Sequence, residues 1–301
     1  MLKNLVYIVT RFTNHTPTAI GNYYEERLWE FIISLKHLAK YEGEILAFDY
    51  GSYPHIITKL KDFGVKVISL PNPDYATNPM TWQTSAYFDV IPHLKEYKGY
   101  NIGNWDFDVW FQDSIDPMFL ELEDIEGCYF ITEKGRSVAW RGGPIKGIHP
   151  NYEFDWGRRE KNLKHIGGFV SGNFMAGKQE NYITKLELIK NCFEKGNWDI
   201  NHLGAEQSIF NLLLDLKKDK WDITKYGGLT YYYCDQVSSQ PNNVSGEPVI
   251  KDNKICLNDK SKELFGDISL SAIHCNAMLN RGKGDKFRFK VLHKDLWEQY
   301  K

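Results

Sequence analysis

The chain lacks the usual marks of several protein classes, and each absence narrows what it can be. Its five cysteines (Cys128, Cys192, Cys234, Cys256 and Cys275) form no Cys-x-x-Cys pair. An odd, scattered set argues for reduced thiols and against a zinc site or a disulfide framework. No apolar run is long enough for a bilayer span, and the run within MLKNLVYIVT gives way to polar residues after Thr10, too soon for a signal sequence, so the chain reads as cytoplasmic, with at most a peripheral place at a membrane. The formal charge of −2 supplies no general attraction to polyanions, which disfavours nucleic acid as a partner without excluding a local basic patch such as Lys283 to Arg288. Neither of two familiar phosphate-binding loops is present: TRFTNHTPTAIG follows the first apolar strand where a Gly-x-Gly-x-x-Gly would stand, and no Gly-x4-Gly-Lys-Ser/Thr occurs.

What is present is the makings of a large α/β domain. At 301 residues the chain can bury a substantial core, and 42% hydrophobic with 25% charged residues is ordinary globular usage. Aromatics at 15% suit surfaces that meet flat bases and sugar rings, although they also fill cores. Strand and helix patterns alternate through the first hundred residues: a strand over Leu5–Val9, a helix between Gly21 and Lys40, a strand over Ile45–Phe48, a helix over Ile56–Phe63, and a strand from Val65 to Leu70. A helical stretch between Ser85 and Tyr97 leads to a fourth strand, Tyr100 to Trp105. This alternation predicts a doubly wound, mostly parallel sheet with ligands at the carboxyl ends of its strands. Beyond Phe119 the pattern becomes turn-rich, with an irregular loop over 133–164. A strand follows over His165–Met175, then helices from about Gln179 to Glu194 and Ala205 to Leu216, strands near Leu229–Cys234 and Ile268–His274, and a turn-rich piece at 238–248. No linker cuts the chain, which reads as one domain (1–301) with a nucleotide-binding half (1–119) and an acceptor-binding half (120–301).

The absence of a glycine-rich phosphate loop carries a consequence. A nucleotide on this sheet would need its phosphates neutralised by another device, and a divalent cation held by carboxylates is the obvious one. Asp106 and Asp108 stand where such a cation is needed, at the end of the fourth strand within NWDFDVWFQD. In extended backbone, residues two apart share a side, so both carboxylates would face one ion. The competing reading is an acidic turn at a strand end.

NWDFDVWFQDSIDPMF resembles the Asp-x-Asp neighbourhood of the GT-A class of nucleotide-sugar-dependent glycosyltransferases: an apolar strand, the paired aspartates, a short apolar piece, then Pro-x-Phe. The resemblance implies that Asp108, with Asp106 nearby on ribose or through water, coordinates Mn2+ or Mg2+ on the donor diphosphate. HIGGFVSGNFMAGKQENY (165–182) looks like the class's glycine-rich donor-sugar segment, which puts Gly168 and Ser171 against the sugar; a strand with a glycine bulge is the alternative. GAEQSIFNLLL (204–214) resembles its acidic helix start, which makes Glu206 and Gln207 catalytic candidates facing the acceptor hydroxyl or the anomeric carbon. Glu206 could equally just stabilise a helix N-terminus. His274, ending an apolar strand, occupies the place of a third metal ligand, against the alternative of a structural histidine. The glycogenin-like branch carries His-x-x-Gly-x-x-Lys-Pro-Trp; this chain departs from it, with Arg281 and Lys283 left as the cations that could meet the diphosphate. Gly167-Gly168-Phe169 and Glu206-Gln207-Ser208 echo the blood-group-type retaining branch.

Thr10 and Arg11 beyond the first strand and Asp49 beyond the second lie where base and ribose should bind, with Asp49 able to accept a uracil imide N–H. Trp140, Arg141 and Trp156 in the irregular loop are candidates for acceptor contact. The implied function is transfer of a sugar from a nucleotide donor, a UDP-sugar, to a hydroxyl of a glycan or other acceptor. A nucleotidyltransferase and a non-catalytic carbohydrate-binding protein are the alternatives. Sequence leaves the donor sugar, the acceptor, retention or inversion, and the oligomeric state open.

Overall fold

The computed structural model describes residues 3–13, 18–71, 82–134, 168–196, 214–215, 217–222, 225–230, 248–259, 262–263, 266–274 and 285–301. Its frame is a seven-stranded sheet in the order β3-β2-β1-β4-β7-β6-β8. The strands are β1 (Lys3–Thr10), β2 (Glu44–Asp49), β3 (Lys66–Ser69), β4 (Tyr100–Trp105), β6 (Cys128–Lys134), β7 (Gly168–Lys178) and β8 (Lys220–Asp222). The first four are mutually parallel, whereas β7 runs against both β4 and β6. This is the expected mostly parallel, doubly wound α/β arrangement. Helices α1 (Thr18–His37) and α2 (Pro54–Asp62) make the crossovers from β1 to β2 and from β2 to β3, while α3 (Trp82–Asp89) and α4 (Ile91–Leu94) lead into β4.

The central strands bury both faces, and their alternate residues feed two separate cores. Val6 and Ile8 of β1, Ile45 and Ala47 of β2, and Tyr129 and Ile131 of β6 join Leu28, Phe31, Ile32 and Leu35 of α1 and Ile56 and Leu60 of α2. Leu5, Tyr7, Leu46, Phe48, Cys128 and Phe130 instead meet α4 and α6 (Gln179–Gly196), the latter through Tyr182, Ile183, Leu186 and Ile189. The period of two in the strands and of three to four in the helices therefore yields a three-layer sandwich. Pro54 sits in the first turn of α2, where its missing N–H costs nothing, and Gly64 ends that helix at φ 72°, the left-handed conformation that glycine tolerates best.

Two smaller sheets flank the frame. β5 (Val109–Phe111) pairs antiparallel with β12 (Ala272–His274), which also pairs with β9 (Tyr226–Thr230); β10 (Val249–Lys251) and β11 (Lys254–Cys256) form a hairpin. Its turn, Asp252-Asn253, takes positive φ at both residues, a conformation these short polar side chains accept. Helix α5 (Asp116–Glu121) follows β5, and at the C-terminus α7 (Phe289–Leu292) and α8 (Lys294–Tyr300) pack on α1.

Several sequence expectations are corrected here. The stretch beyond Phe119 holds the end of α5 and the strand β6, buried over Cys128 to Ile131, so Glu133 and Lys134 belong to a strand and not to the irregular loop. The helical stretch before β4 is two helices, broken at Val90. The final strand begins only at Ala272, and the residues before it pair through single bonds such as Ser271 N–H to Lys225 O. Among the described residues no helix is long and apolar enough to cross a membrane.

Candidate donor and metal site

Adjacent parallel strands end at a common edge, and the side chains there are bound to one another. Thr10 closes β1 and Asp49 closes β2, opposite each other in the ladder. Both are buried, and Thr10 Oγ1 donates to Asp49 Oδ1 at 2.9 Å. The Asp49 carboxylate also accepts from the backbone N–H groups of Gly51 and Ser52, which folds the loop after β2 back over the strand end. Ser52 Oγ in turn accepts from Phe12 N–H at 2.9 Å, and Tyr53 N–H donates to Phe12 O. The loops after β1 and β2 are thereby one unit. Both oxygens of Asp49 are engaged in holding it, by the Thr10 hydroxyl and the Gly51 and Ser52 amides. Arg11 lies half-buried between Thr10 and Phe12. Next along this edge, Tyr50 O–H donates to Asp89 of α3 at 2.6 Å.

The paired aspartates stand at the same edge, beyond β4, but on different backbone from that expected. The strand stops at Trp105, and Asp106 to Val109 form a tight turn closed by Val109 N–H to Asp106 O at 3.1 Å. The two carboxylates are thus gathered by a turn and not by the side-chain period of a strand. Phe107 between them packs on Phe12 and Tyr24, with ring centroids 5.8 and 6.0 Å away, and ties the turn to the loop after β1. Below it Trp105 is buried and donates its indole N–H to Tyr226 O at 3.0 Å.

His274 completes the group from the far end of the sequence. It ends β12 opposite Val109 of β5, so the residue just before β5, Asp108, comes beside it. His274 Nε2 lies 3.2 Å from Asp108 Oδ1, with the imidazole 6% and the carboxylate 16% exposed. Asp106 is exposed, yet one ligand atom from each of Asp106, Asp108 and His274 falls within 4.8 Å of the others. Asp108 Oδ1 is buried with no hydrogen-bond partner of proper geometry among the described residues. Two carboxylates and an imidazole turned to one point, one oxygen lacking a hydrogen bond, form a donor set that a divalent cation fits.

Gly168 and the backbone of Ser171 lie in β7, two strands from β1. Trp140, Arg141, Trp156, Glu206, Gln207, Arg281 and Lys283 fall outside the described residues. The ring of Phe107 and the Ser52 hydroxyl at this edge, and the Gln112 amide at the far end of β5, are structural parts that the sequence does not announce. Phe107 could have been found from its place inside the Asp-x-Asp group; Ser52 and Gln112 carry no local signal. A cavity of about 520 Å3, lined by His37, Asp113, Asp252 and His293 among others, lies at the opposite end of β5 and is separate from this edge.

Strand order and crossovers match the GT-A fold seen in solved glycosyltransferase structures. Its solved examples include the bifunctional glycosyltransferase WbbM without ligand, at TM-score 0.55 and 10% identity over 98% of this chain and 49% of WbbM, so this chain spans about half of that protein. An active-site mutant of LgtC matches at 0.51 and 11% identity over 97% of this chain and 95% of LgtC, and mouse xyloside xylosyltransferase 1 without ligand at 0.53 and 13% over 93% of this chain and all of that one. At such identities the likeness is one of fold. No protein-family model and no curated protein matches the sequence.

Proposed function

We propose that the protein is a glycosyltransferase that moves a sugar from a nucleotide-diphosphate donor, a UDP-sugar, to a hydroxyl of a glycan or similar acceptor with the help of a divalent ion. The observation that carries this reading is the convergence of Asp106, Asp108 and His274 at the strand edge that also holds Thr10 and Asp49. These three side chains would hold the ion, and the mixture of carboxylate and imidazole suits Mn2+ better than Mg2+, which prefers oxygen and water. When bound, the ion offsets the charge that builds on the departing nucleoside diphosphate.

The chain's own groups prepare the rest. The loops after β1 and β2, fixed by Asp49, offer Arg11 and the exposed part of Gly51 to Tyr53 for the nucleoside. The Phe107 contacts keep that surface in register with the metal turn. Gly168 and Ser171 are assigned to the donor sugar, Lys283 to the diphosphate, and Trp140, Arg141 and Trp156 to the acceptor. Glu206, with Gln207, supports the anomeric centre on the face away from the diphosphate if configuration is retained, or removes the acceptor proton if it is inverted.

The test is to incubate the protein with a panel of nucleotide sugars and Mn2+ and follow slow donor hydrolysis. One donor is expected to be consumed, with Asp108→Ala abolishing the reaction. A folded protein that neither binds nor hydrolyses any of them refutes the reading.

A further inference from the structure

Gln112, immediately after β5, is 6% exposed, and its amide is used at both ends. Oε1 accepts from Ile255 N–H at 2.9 Å, while Nε2 donates to Ile255 O at 2.9 Å and to Leu270 O at 2.8 Å. Its own backbone N–H donates to Ser271 O at 2.9 Å. One residue thereby fastens β5 to β11 and to the segment that enters β12.

That fastening bears on the candidate ligands. Asp108 immediately precedes β5 and His274 ends β12, so their separation is set by the register of two strands with three residues each. A ladder this short specifies its register weakly, and a slip of one residue would turn His274 to the opposite face. The Gln112 bonds lie beyond the last ladder pair, Ala272 with Phe111, and fix that register from the end away from Asp108. We propose that Gln112 is a positioning residue for the metal site: without touching the ion, it locks β5 and β12 so that His274 stands beside Asp108. This inference rests on the metal reading given above.

The test titrates Mn2+ alone into the full chain and reads the free ion by electron paramagnetic resonance, with circular dichroism to establish folding. Gln112→Leu keeps the apolar stem and removes all three side-chain bonds. It is expected to bind Mn2+ roughly 10- to 100-fold more weakly than wild type, the range typical of lost ligand-orienting contacts. Should that variant not fold, Gln112→Asn keeps a neutral amide that is one methylene too short to reach Ile255 and Leu270 together, with a loss in the same direction expected. Tyr182→Phe, which breaks the buried Tyr7–Tyr182 hydrogen bond in the other core, serves as a control for general loosening and is expected to bind as wild type does. The proposal is overturned if a folded Gln112 variant binds within twofold of wild type, or if Tyr182→Phe loses as much. If wild type binds no more Mn2+ than Asp108→Ala does, the metal reading itself has failed and this inference falls with it.

Discussion

Glu30 sits at the centre of a buried ionic network, and its replacement by glutamine tests how the C-terminal helices are held. The side chain is 1% exposed. Oε2 accepts from Arg27 at 2.8 Å, and Oε1 accepts from Arg288 Nε at 3.1 Å and from Lys290 N–H at 3.3 Å. Arg27 and Arg288 are each 4% exposed, so both guanidiniums were taken out of water to reach this carboxylate. Glu30→Gln keeps the volume and removes the charge that offsets their desolvation. Breaking a buried pair from one side costs about 3–5 kcal/mol.

Glu26 provides the contrast. It binds Arg288 at 2.8 Å and Lys290 at 2.6 Å, but its side chain is 39% exposed, so water screens the pair. Glu26→Gln should cost below about 1 kcal/mol. Urea unfolding separates the cases: at a slope near 3 kcal/mol per molar, Glu30→Gln should lower the midpoint by about 1 M or more and Glu26→Gln by a few tenths. A Glu30→Gln midpoint within those few tenths of wild type, or equal losses from both variants, would refute the reasoning that desolvation decides the difference.

Gly103→Ala should destabilise by about 1–3 kcal/mol, measured by the same unfolding curves, because its Cβ would come within 2.7 Å of the buried Trp105 ring. Asp49→Ala removes the acceptor that folds Gly51 and Ser52 over the strand end; donor binding should weaken at least tenfold while circular dichroism stays native, and unchanged affinity would sink the loop-fixing role. Burial holds the His293 imidazole below its ordinary value of 6.5, outweighing a hydrogen bond to the Asn253 backbone, with Lys254 adding to the depression, and burial with Lys36 does the same for His37. The unfolded chain then binds more protons, so stability should be full above about pH 6.5 and fall as pH drops below it, read as a lower Tm at pH 5.5 than at pH 7.5 and a smaller fall in His293→Gln. Burial raises Glu26, but Lys290 and Arg288 together outweigh it and hold the group below its ordinary 4.5, so its contribution is lost only in a separate window below that value.

The sheet edge at the ends of β1 and β2 was readable because its physics is local. In β1 and β2 the apolar runs, Leu5 to Val9 and Ile45 to Phe48, are continuous and bounded by polar residues, and the helices that follow them repeat Leu28, Phe31, Leu35 and Ile56, Leu60 at helical spacing. β5 and β6 were not readable for the opposite reasons. Val109-Trp110-Phe111 is too short to show a period, and Cys128 to Ile131 is buried on both faces, so no alternation distinguishes it from any other apolar segment. Gln112 is beyond local reading altogether, since its partners Ile255 and Leu270 lie 143 and 158 residues along the chain.

The Asp-x-Asp group shows how a correct position can follow from a wrong backbone. Had Asp106 and Asp108 continued the strand, the two would have been equivalent, each presenting its carboxylate to the same side at the same depth. The turn makes them unequal. Asp108 is drawn in beside His274, with its Oδ1 buried, whereas Asp106 stands exposed at the rim. For ion binding, Asp108 and His274 already stand side by side below the surface, whereas Asp106 meets them from the exposed rim. Removal of Asp108 should therefore cost more Mn2+ affinity than removal of Asp106, a ranking that equivalent strand residues would not produce.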